Sequence, residues 1–351
     1  MLDMLNNWFK RRFSDPHATA LLVILVVGFA TIYFLGHLIA PLLAAIVLAY
    51  LLDWPVMRLS KLGMPRTLSV SLVVTLFMGV MLLAIFGLVP TIWRQVANLI
   101  ADIPAMFTGL QDFLVSIPAR YPDMISPAQI NEVIAGLQQK VIGLGEAAVK
   151  NSLASLISLA SLAVYLILVP LLVFFLLKDK DEMLQTLSDL LPRNRRLTEQ
   201  VGIEMNQQIS NYIRGKVSEI MIVGGVAYIT FLLLGLRYAV LLSVLTGLSV
   251  LIPYIGAAAV TVPIVMVALF QWGMGPEVWW VLVAYGILQA LDGNVLVPIM
   301  FSEAVNLHPV WIIVSVLVFG GLWGFWGVFF AIPLATLVKA VWRAFPSPND
   351  E

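Results

Sequence analysis

The sequence predicts an all-α, polytopic membrane protein with two interrupted or re-entrant hairpins and a helical extracytoplasmic arm. Of its 351 residues, 61% are hydrophobic and 11% are charged, whereas a soluble domain is near half apolar and a quarter charged. Apolar runs longer than the roughly 20 residues of one crossing recur along the chain. Two of the later runs are interrupted by glycine and proline, which membranes tolerate only where other groups satisfy the freed backbone.

The apolar runs and charged segments divide the chain into six predicted parts. They are an N-terminal membrane hairpin plus a third span (1–90), an extracytoplasmic amphipathic arm (91–151), a span (152–177), a charged cytoplasmic helical segment (178–216), a C-terminal membrane core with two Gly/Pro-rich hairpins (217–343) and a cytoplasmic tail (344–351).

In the first part, the run Ala18–Leu52 is too long for one straight crossing. Gly36, His37 and Pro41 interrupt it, which favours a two-helix hairpin. Basic residues flank the run on both sides, at 10–12 and 58–66, and the positive-inside rule places both flanks in the cytoplasm. The span Thr67–Val89 would then cross outwards.

The arm is predicted from two apolar stripes at helical spacing, which we expect to bury against each other or against other protomers. The first stripe is Ile92, Val96, Leu99, Ile103, Met106, Leu110, Phe113, Leu114 and Ile117, and the second is Ile130, Ile134, Leu137, Val141 and Leu144. In the charged segment, Leu197, Val201, Met205, Ile209 and Ile213 form a third stripe, which would lie against the membrane, a partner or the protein itself.

The last membrane part contains the interrupted runs Ala239–Trp272 and Val310–Val341, with the span Val278–Met300 between them. Each run is predicted to be a hairpin, made either of two short spans or of a re-entrant pair. Counting crossings places the two hairpins on opposite faces and the C-terminus in the cytoplasm, in agreement with Lys339 and Arg343. Paired interrupted segments are a sequence indication of a transporter site.

Asp292 is the candidate binding residue, because a carboxylate inside a span usually faces a cavity and marks an ion or substrate path. Gln289 lies on the same helical face, and Gly293 and Asn294 add flexible backbone and an amide. The functional hypothesis is that Asp292 binds or exchanges a cation, or orients a polar substrate, where the hairpins meet. The alternative is that Asp-Gly-Asn is a turn that ends the helix at a polar surface.

Two glycine-containing motifs also allow two interpretations. Either they permit tight helix packing, or their unwound backbone and aromatic rings line a pathway. The pathway candidates are Pro253, Tyr254 and Gly256 in the first hairpin and Gly320, Gly321, Gly324 and Gly327 in the second. Arg214, Lys216 and Glu219, at the start of the C-terminal core, are candidates for a cytoplasmic gate or coupling group.

Several function classes lack their residues. With 20 basic and 20 acidic residues, the chain has no excess charge for nucleic acid. It has no cysteine, and the motifs of zinc proteases, serine hydrolases and P-loop ATPases do not occur. His17, His37 and His308 are too scattered for a metal cluster. We therefore expect no enzyme, no metal and no other cofactor, with the lipid bilayer and a small polar solute or cation as partners.

The stretches "LVFFLLKDKDEM", "NYIRGKVSE", "VLIPYIGA" and "LDGNVLVPIMFSEAVNLHPVWIIVSVLVFGGLWGFWGVFFAIPLA" closely resemble the autoinducer-2 exporter (AI-2E) family of bacterial inner-membrane proteins. The resemblance implies a multi-pass permease without ATPase parts and a homo-oligomer, for which a pentamer is one arrangement. Some relatives are linked to export of the signal autoinducer-2 and others to sodium or lithium ions in exchange for protons. A transporter of a small polar solute or ion is the leading interpretation, and a non-transporting scaffold or channel-like assembly is the alternative.

Overall fold

The computed structural model describes residues 16–120, 136, 155–189, 196–301 and 307–344. These residues are almost entirely helical and include no strand. The helices are α1 (Pro16–Lys61), α2 (Arg66–Arg120), α3 (Ser155–Lys178), α4 (Lys180–Asp189), α5 (Arg196–Leu233), α6 (Ala239–Ser249), α7 (Ile255–Trp272), α8 (Pro276–Leu291), α9 (Val297–Phe301), α10 (Pro309–Phe329) and α11 (Ala331–Ala344), with a π-helical segment (Asp292–Leu296) between α8 and α9. Six stretches within the described ranges are long and apolar enough to cross a membrane. The predicted all-α, polytopic membrane fold is confirmed.

The predicted N-terminal hairpin is wrong, because α1 is one unbroken helix of 46 residues with Pro41 inside it. Interior prolines are tolerated in membrane helices when neighbours satisfy the freed backbone groups. The C-terminal half of α1 also has a continuous partner surface, since Ala45, Leu52 and Val56 pack in one cluster with residues of α2 and α3. Because an unbroken helix does not return to the face where it began, the count of crossings behind the predicted cytoplasmic N-terminus does not apply.

Helix α2 contains both the third predicted span and the first arm stripe in 55 residues, about 83 Å of helix. Part of that stripe is used within the chain: Ile92, Val96 and Leu99 pack on the core of the C-terminal half, and Met106 is buried there. The second arm stripe lies outside the described residues.

Polar contacts join the ends of three helices on one side of the protein. Lys180 Nζ lies 2.9 Å from Asp53 Oδ2. The Arg66 guanidinium donates to the Leu177 carbonyl oxygen at 3.0 and 3.2 Å and pairs with Asp181. The end of α1, the start of α2 and the end of α3 therefore lie together.

Helix α5 continues from the charged segment into the membrane core. Met205 and Ile213 of its apolar stripe are buried, and Ile213 packs with Phe301 and Phe329. For these residues, the interpretation that the stripe packs on its own protein is correct. Further along, an added Cβ at Gly247 would lie 3.0 Å from Gly224 Cα, so α5 and α6 approach closely through glycine.

Two helix pairs occupy the positions of the predicted hairpins. In the first pair, α6 has 11 residues and rises only about 17 Å, short of a roughly 30 Å hydrocarbon core. Gln271 near the end of α7 bonds to the Gly235 carbonyl oxygen and the Arg237 N–H, so both ends of this hairpin lie together. In the second pair, α10 breaks at Gly324, whose φ of 57° and ψ of −133° reverse the chain towards α11.

Candidate functional site

A cavity of about 780 Å³ lies between α5, the tip of the first hairpin, the π-helical segment, α9 and the starts of α10 and α11. Its lining residues are Lys216, Glu219, Ser249, Val250, Ile252, Pro253, Tyr254, Ala257, Gln289, Asp292, Gly293, Asn294, Val297, Pro298, Phe301, Leu307, Pro309, Ile312 and Ile332. The volume falls within the range of small-molecule sites, which are mostly apolar with a few placed polar groups.

Asp292 reaches the cavity because the helix widens at this residue instead of ending. The Val297 N–H donates to the Asp292 carbonyl oxygen five residues earlier, which is the π-helical pattern. Asn294 Nδ2 donates to the Ala290 carbonyl oxygen at 2.8 Å and so satisfies a backbone group near the wide turn. The alternative that Asp-Gly-Asn ends the helix at a polar surface is therefore wrong.

The Asp292 side chain is buried and incompletely bonded. The residue is 8% exposed, and Oδ1 has no hydrogen-bond partner. Gln289, three residues earlier, also lines the cavity and leaves its buried Nε2 without a hydrogen-bond partner.

A buried ion pair faces the same cavity. Lys216 Nζ lies 2.7 Å from Glu219 Oε2, and their side chains are 4% and 2% exposed. The same ammonium donates to the Val250 carbonyl oxygen at 2.8 Å and lies 5.3 Å from the centre of the Phe301 ring. Lys216 thus joins α5 to the first hairpin tip and to α9, and it interacts electrostatically with Asp292. Arg214 does not line the cavity; its Nε donates to the Tyr50 carbonyl oxygen of α1.

The first hairpin contributes its tip. Pro253 and Tyr254 line the cavity, and Tyr254 has a φ of 64° and a ψ of −49°, a strained backbone conformation for a residue with a side chain. Gly256 does not line it. An added Cβ at Gly256 would overlap the Ser249 carbonyl oxygen, so this glycine permits close backbone packing within the hairpin.

The second hairpin contributes Pro309 and Ile312 near its start and Ile332 at the start of α11, and not its glycine-rich tip. Gly320, Gly321, Gly324 and Gly327 are absent from the cavity lining. An added Cβ at Gly327 would overlap the Phe319 carbonyl oxygen, which indicates a packing role at the chain reversal. Phe319 and Trp323 stack on Phe29 of α1 with ring centroids 6.1 and 5.1 Å from it. The two hairpin tips therefore do not meet at Asp292.

Sequence reasoning missed the apolar walls of the cavity. Phe301, Pro309, Ile312 and Ile332 line it, and none carries a polar group that distinguishes it from a lipid-facing residue. It also missed Ser249. Only the polar lining residues within a hydrophobic run give a signal in the sequence.

A multi-pass helical protein with a charged internal cavity between two broken hairpins has the architecture of a membrane permease. The chain belongs to the AI-2E family, because the sequence model of the family described as "AI-2E family transporter" matches its residues 22–347. This is a family of transporters and not of enzymes.

Relatives match over most of the chain. It is 57% identical to the "Putative permease PerM" of Escherichia coli (strain K12) over 99% of this chain and 98% of that protein. It is 27% identical to the "Putative transport protein YueF" of Bacillus subtilis (strain 168), covering 88% of this chain and 84% of the relative. With the "AI-2 transport protein TqsA" of Escherichia coli (strain K12), the identity is 24% over 91% and 88% of the two chains.

Proposed function

We propose that this protein is a secondary transporter that moves a small polar solute or a cation through the cavity beside Asp292. The observation that carries the proposal is the buried Asp292 side chain, which lines the cavity from within the apolar stretch Pro276–Phe301. A carboxylate within a membrane span is costly and usually marks an ion or substrate path, so the cavity favours transport over the scaffold alternative.

Two transported species are compatible with the family. Export of a signal like autoinducer-2 is supported by the similarity to a protein named as an AI-2 transporter. Exchange of a cation for protons is supported by Asp292, because a carboxylate can hold either one. In both cases Asp292 is the binding group, and Lys216 with Glu219 is the coupling pair that connects it to the first hairpin.

The proposed setting is the bacterial inner membrane, with the helix ends around Asp53, Arg66 and Asp181 in the cytoplasm. Basic residues at 58–66 support this orientation through the positive-inside rule. It places residues 91–120 outside and the C-terminus inside. The first hairpin then enters the membrane from the outer face and returns to that face. Its helix α6 is too short to cross, and Gln271 joins the two ends of the hairpin. Assembly into a homo-oligomer, such as a pentamer, belongs to the same proposal and rests on the family resemblance.

The function is tested by measuring the flux of autoinducer-2 or of a cation into proteoliposomes under an imposed proton or sodium gradient. Asp292→Asn keeps the shape of the side chain and removes its charge, so it should insert normally and lose gradient-coupled flux, whereas Asp292→Glu should keep part of it. Glu277→Gln is the matched control, because Glu277 is exposed at the other end of α8 and does not line the cavity. Normal transport by Asp292→Asn at every pH between 6 and 8 would refute the role of Asp292.

A further inference from the structure

We infer that the cavity binds an organic monocation, a substituted ammonium with an apolar body, whose charge pairs with Asp292 while its body contacts the apolar walls. This inference rests on the proposed transport function and narrows it to a substrate class. The inference is supported by the size of the cavity, the hydrogen bonds that its polar side chains already make, its net charge and an aromatic ring on its wall.

The size of the cavity favours an organic molecule over a bare ion. Its volume is about 780 Å³, whereas a water molecule occupies about 30 Å³ of liquid. A single metal ion would leave most of this space unfilled. Protein sites for small organic molecules measure roughly 300–1,000 Å³.

The hydrogen-bonding state of the cavity disfavours a sugar-like or polyhydroxylated solute, because most polar groups on the wall already bond within the protein. Lys216 pairs with Glu219. Ser249 Oγ donates to the Thr246 carbonyl oxygen, and Asn294 Nδ2 to that of Ala290. Among the lining residues, the buried polar atoms without a hydrogen-bond partner are Asp292 Oδ1 and Gln289 Nε2. A solute with a single charged group needs only Asp292 as its charged partner.

The charge of the cavity sets the sign of the ligand. Its described lining contains one cationic side chain, Lys216, and two carboxylates, Glu219 and Asp292. Lys216 is held within 2.7 Å of Glu219, so the remaining negative charge belongs to Asp292. A monocation neutralises this site, and an anion would be repelled by it.

The walls supply contacts for an apolar body and for an ammonium group. Ile252, Pro298 and Ile312 provide apolar surface. Tyr254 lines the same space and is 62% exposed, so its ring is largely uncovered by other side chains. Ammonium groups bind favourably over the face of such a ring, and quaternary ammonium ligands are recognised in this way. The face of Phe301 already receives Lys216.

The test is equilibrium dialysis of the purified full-length chain in lipid nanodiscs against tritiated benzyltrimethylammonium, with empty nanodiscs subtracted. A neutral competitor, 2,2-dimethylpropylbenzene, has the same shape with carbon in place of nitrogen. We expect saturable binding of the cation, no competition by the neutral compound, and at least a tenfold loss of affinity in Asp292→Asn but not in Glu277→Gln. Tyr254→Leu should weaken binding about two- to fivefold, while Tyr254→Phe, which keeps the ring, should not.

Each other outcome contradicts the inference in a distinguishable way. Full competition by the neutral compound, or unchanged affinity in Asp292→Asn, would show that no cation site exists at Asp292. Absence of benzyltrimethylammonium binding in a protein that still shows Asp292-dependent, gradient-coupled flux would refute the organic cation and leave the proposed transport function standing. Absence of both would refute the transport function as well.

Discussion

The buried ion pair beside the cavity predicts an unequal response to the removal of its two members. Lys216 Nζ lies 2.7 Å from Glu219 Oε2, and both side chains are almost fully buried. Removing one partner of such a pair costs about 3–5 kcal/mol, because the other charge stays buried without compensation. Asp292 makes the two removals different, because it interacts with both residues. Lys216→Met leaves two carboxylates without their cation, whereas Glu219→Gln leaves Lys216 with Asp292 as its remaining counter-charge.

We therefore expect Lys216→Met to lower the free energy of unfolding by about 4–5 kcal/mol and Glu219→Gln by about 3 kcal/mol. The double variant should cost less than the sum of the two, by about 2–3 kcal/mol, since it removes both charges and nearly keeps the volume. Asp181→Asn is the control. It breaks an ion pair in which Asp181 is 79% exposed, so its effect should be at most about 1 kcal/mol.

Unfolding in mixed micelles of mild detergent and SDS, followed by the fluorescence of the ten tryptophans, measures these differences. A double variant that costs the full sum would show that the two charges do not stabilise each other. Equal costs for the two single variants would show that Asp292 does not contribute to the field at Lys216.

Two further predictions concern contacts outside this pair, and a third concerns the proposed orientation in the membrane. Gly256→Ala should lower the free energy of unfolding by about 3 kcal/mol or more, because its Cβ would overlap the Ser249 carbonyl oxygen. The control Gly225→Ala on α5 meets no atom within 4 Å and should be neutral or stabilising by up to about 1 kcal/mol. Equal effects in the same unfolding assay would refute the packing role of Gly256. Tyr238→Phe should cost about 1–2 kcal/mol through loss of the hydrogen bond to Asp102. Burial, and then this bond, raise the pKa of Tyr238 above its ordinary value, so the stability that Tyr238 contributes is fully present below pH 10 and is lost only at higher pH. The difference in unfolding free energy between the native chain and Tyr238→Phe should therefore be constant from pH 6 to 9. A decline of this difference within that range would contradict the role of the Tyr238 hydroxyl. In a chain without native cysteine, Ser60→Cys should react with an impermeant maleimide only from the cytoplasmic side and Ala105→Cys only from the outer side; labelling of both from one side would overturn the proposed orientation.

The candidate residue Asp292 could be found in the sequence because a carboxylate in an apolar run conflicts with its surroundings. Lys216 and Glu219 were predicted as a coupling group, but their mutual pairing, the bond to the Val250 carbonyl oxygen and the shared cavity with Asp292 connect distant parts of the chain. No local pattern encodes such contacts. For the same reason, Arg214 stood beside them in the prediction, although it contacts α1 and does not line the cavity.

The membrane class, the helical content and the positions of the two broken hairpins could be predicted from the amino-acid sequence. Hydropathy and the backbone chemistry of glycine and proline act over one or two helical turns, so these features can be read locally. Three features depend on contacts between distant segments: α1 is unbroken, Ile92, Val96 and Leu99 pack on the core of their own chain, and the second hairpin lines the cavity through the starts of α10 and α11. The physical reason is that apolar side chains have the same composition whether they face lipid, another helix or a cavity, and only the packing of distant segments distinguishes these environments.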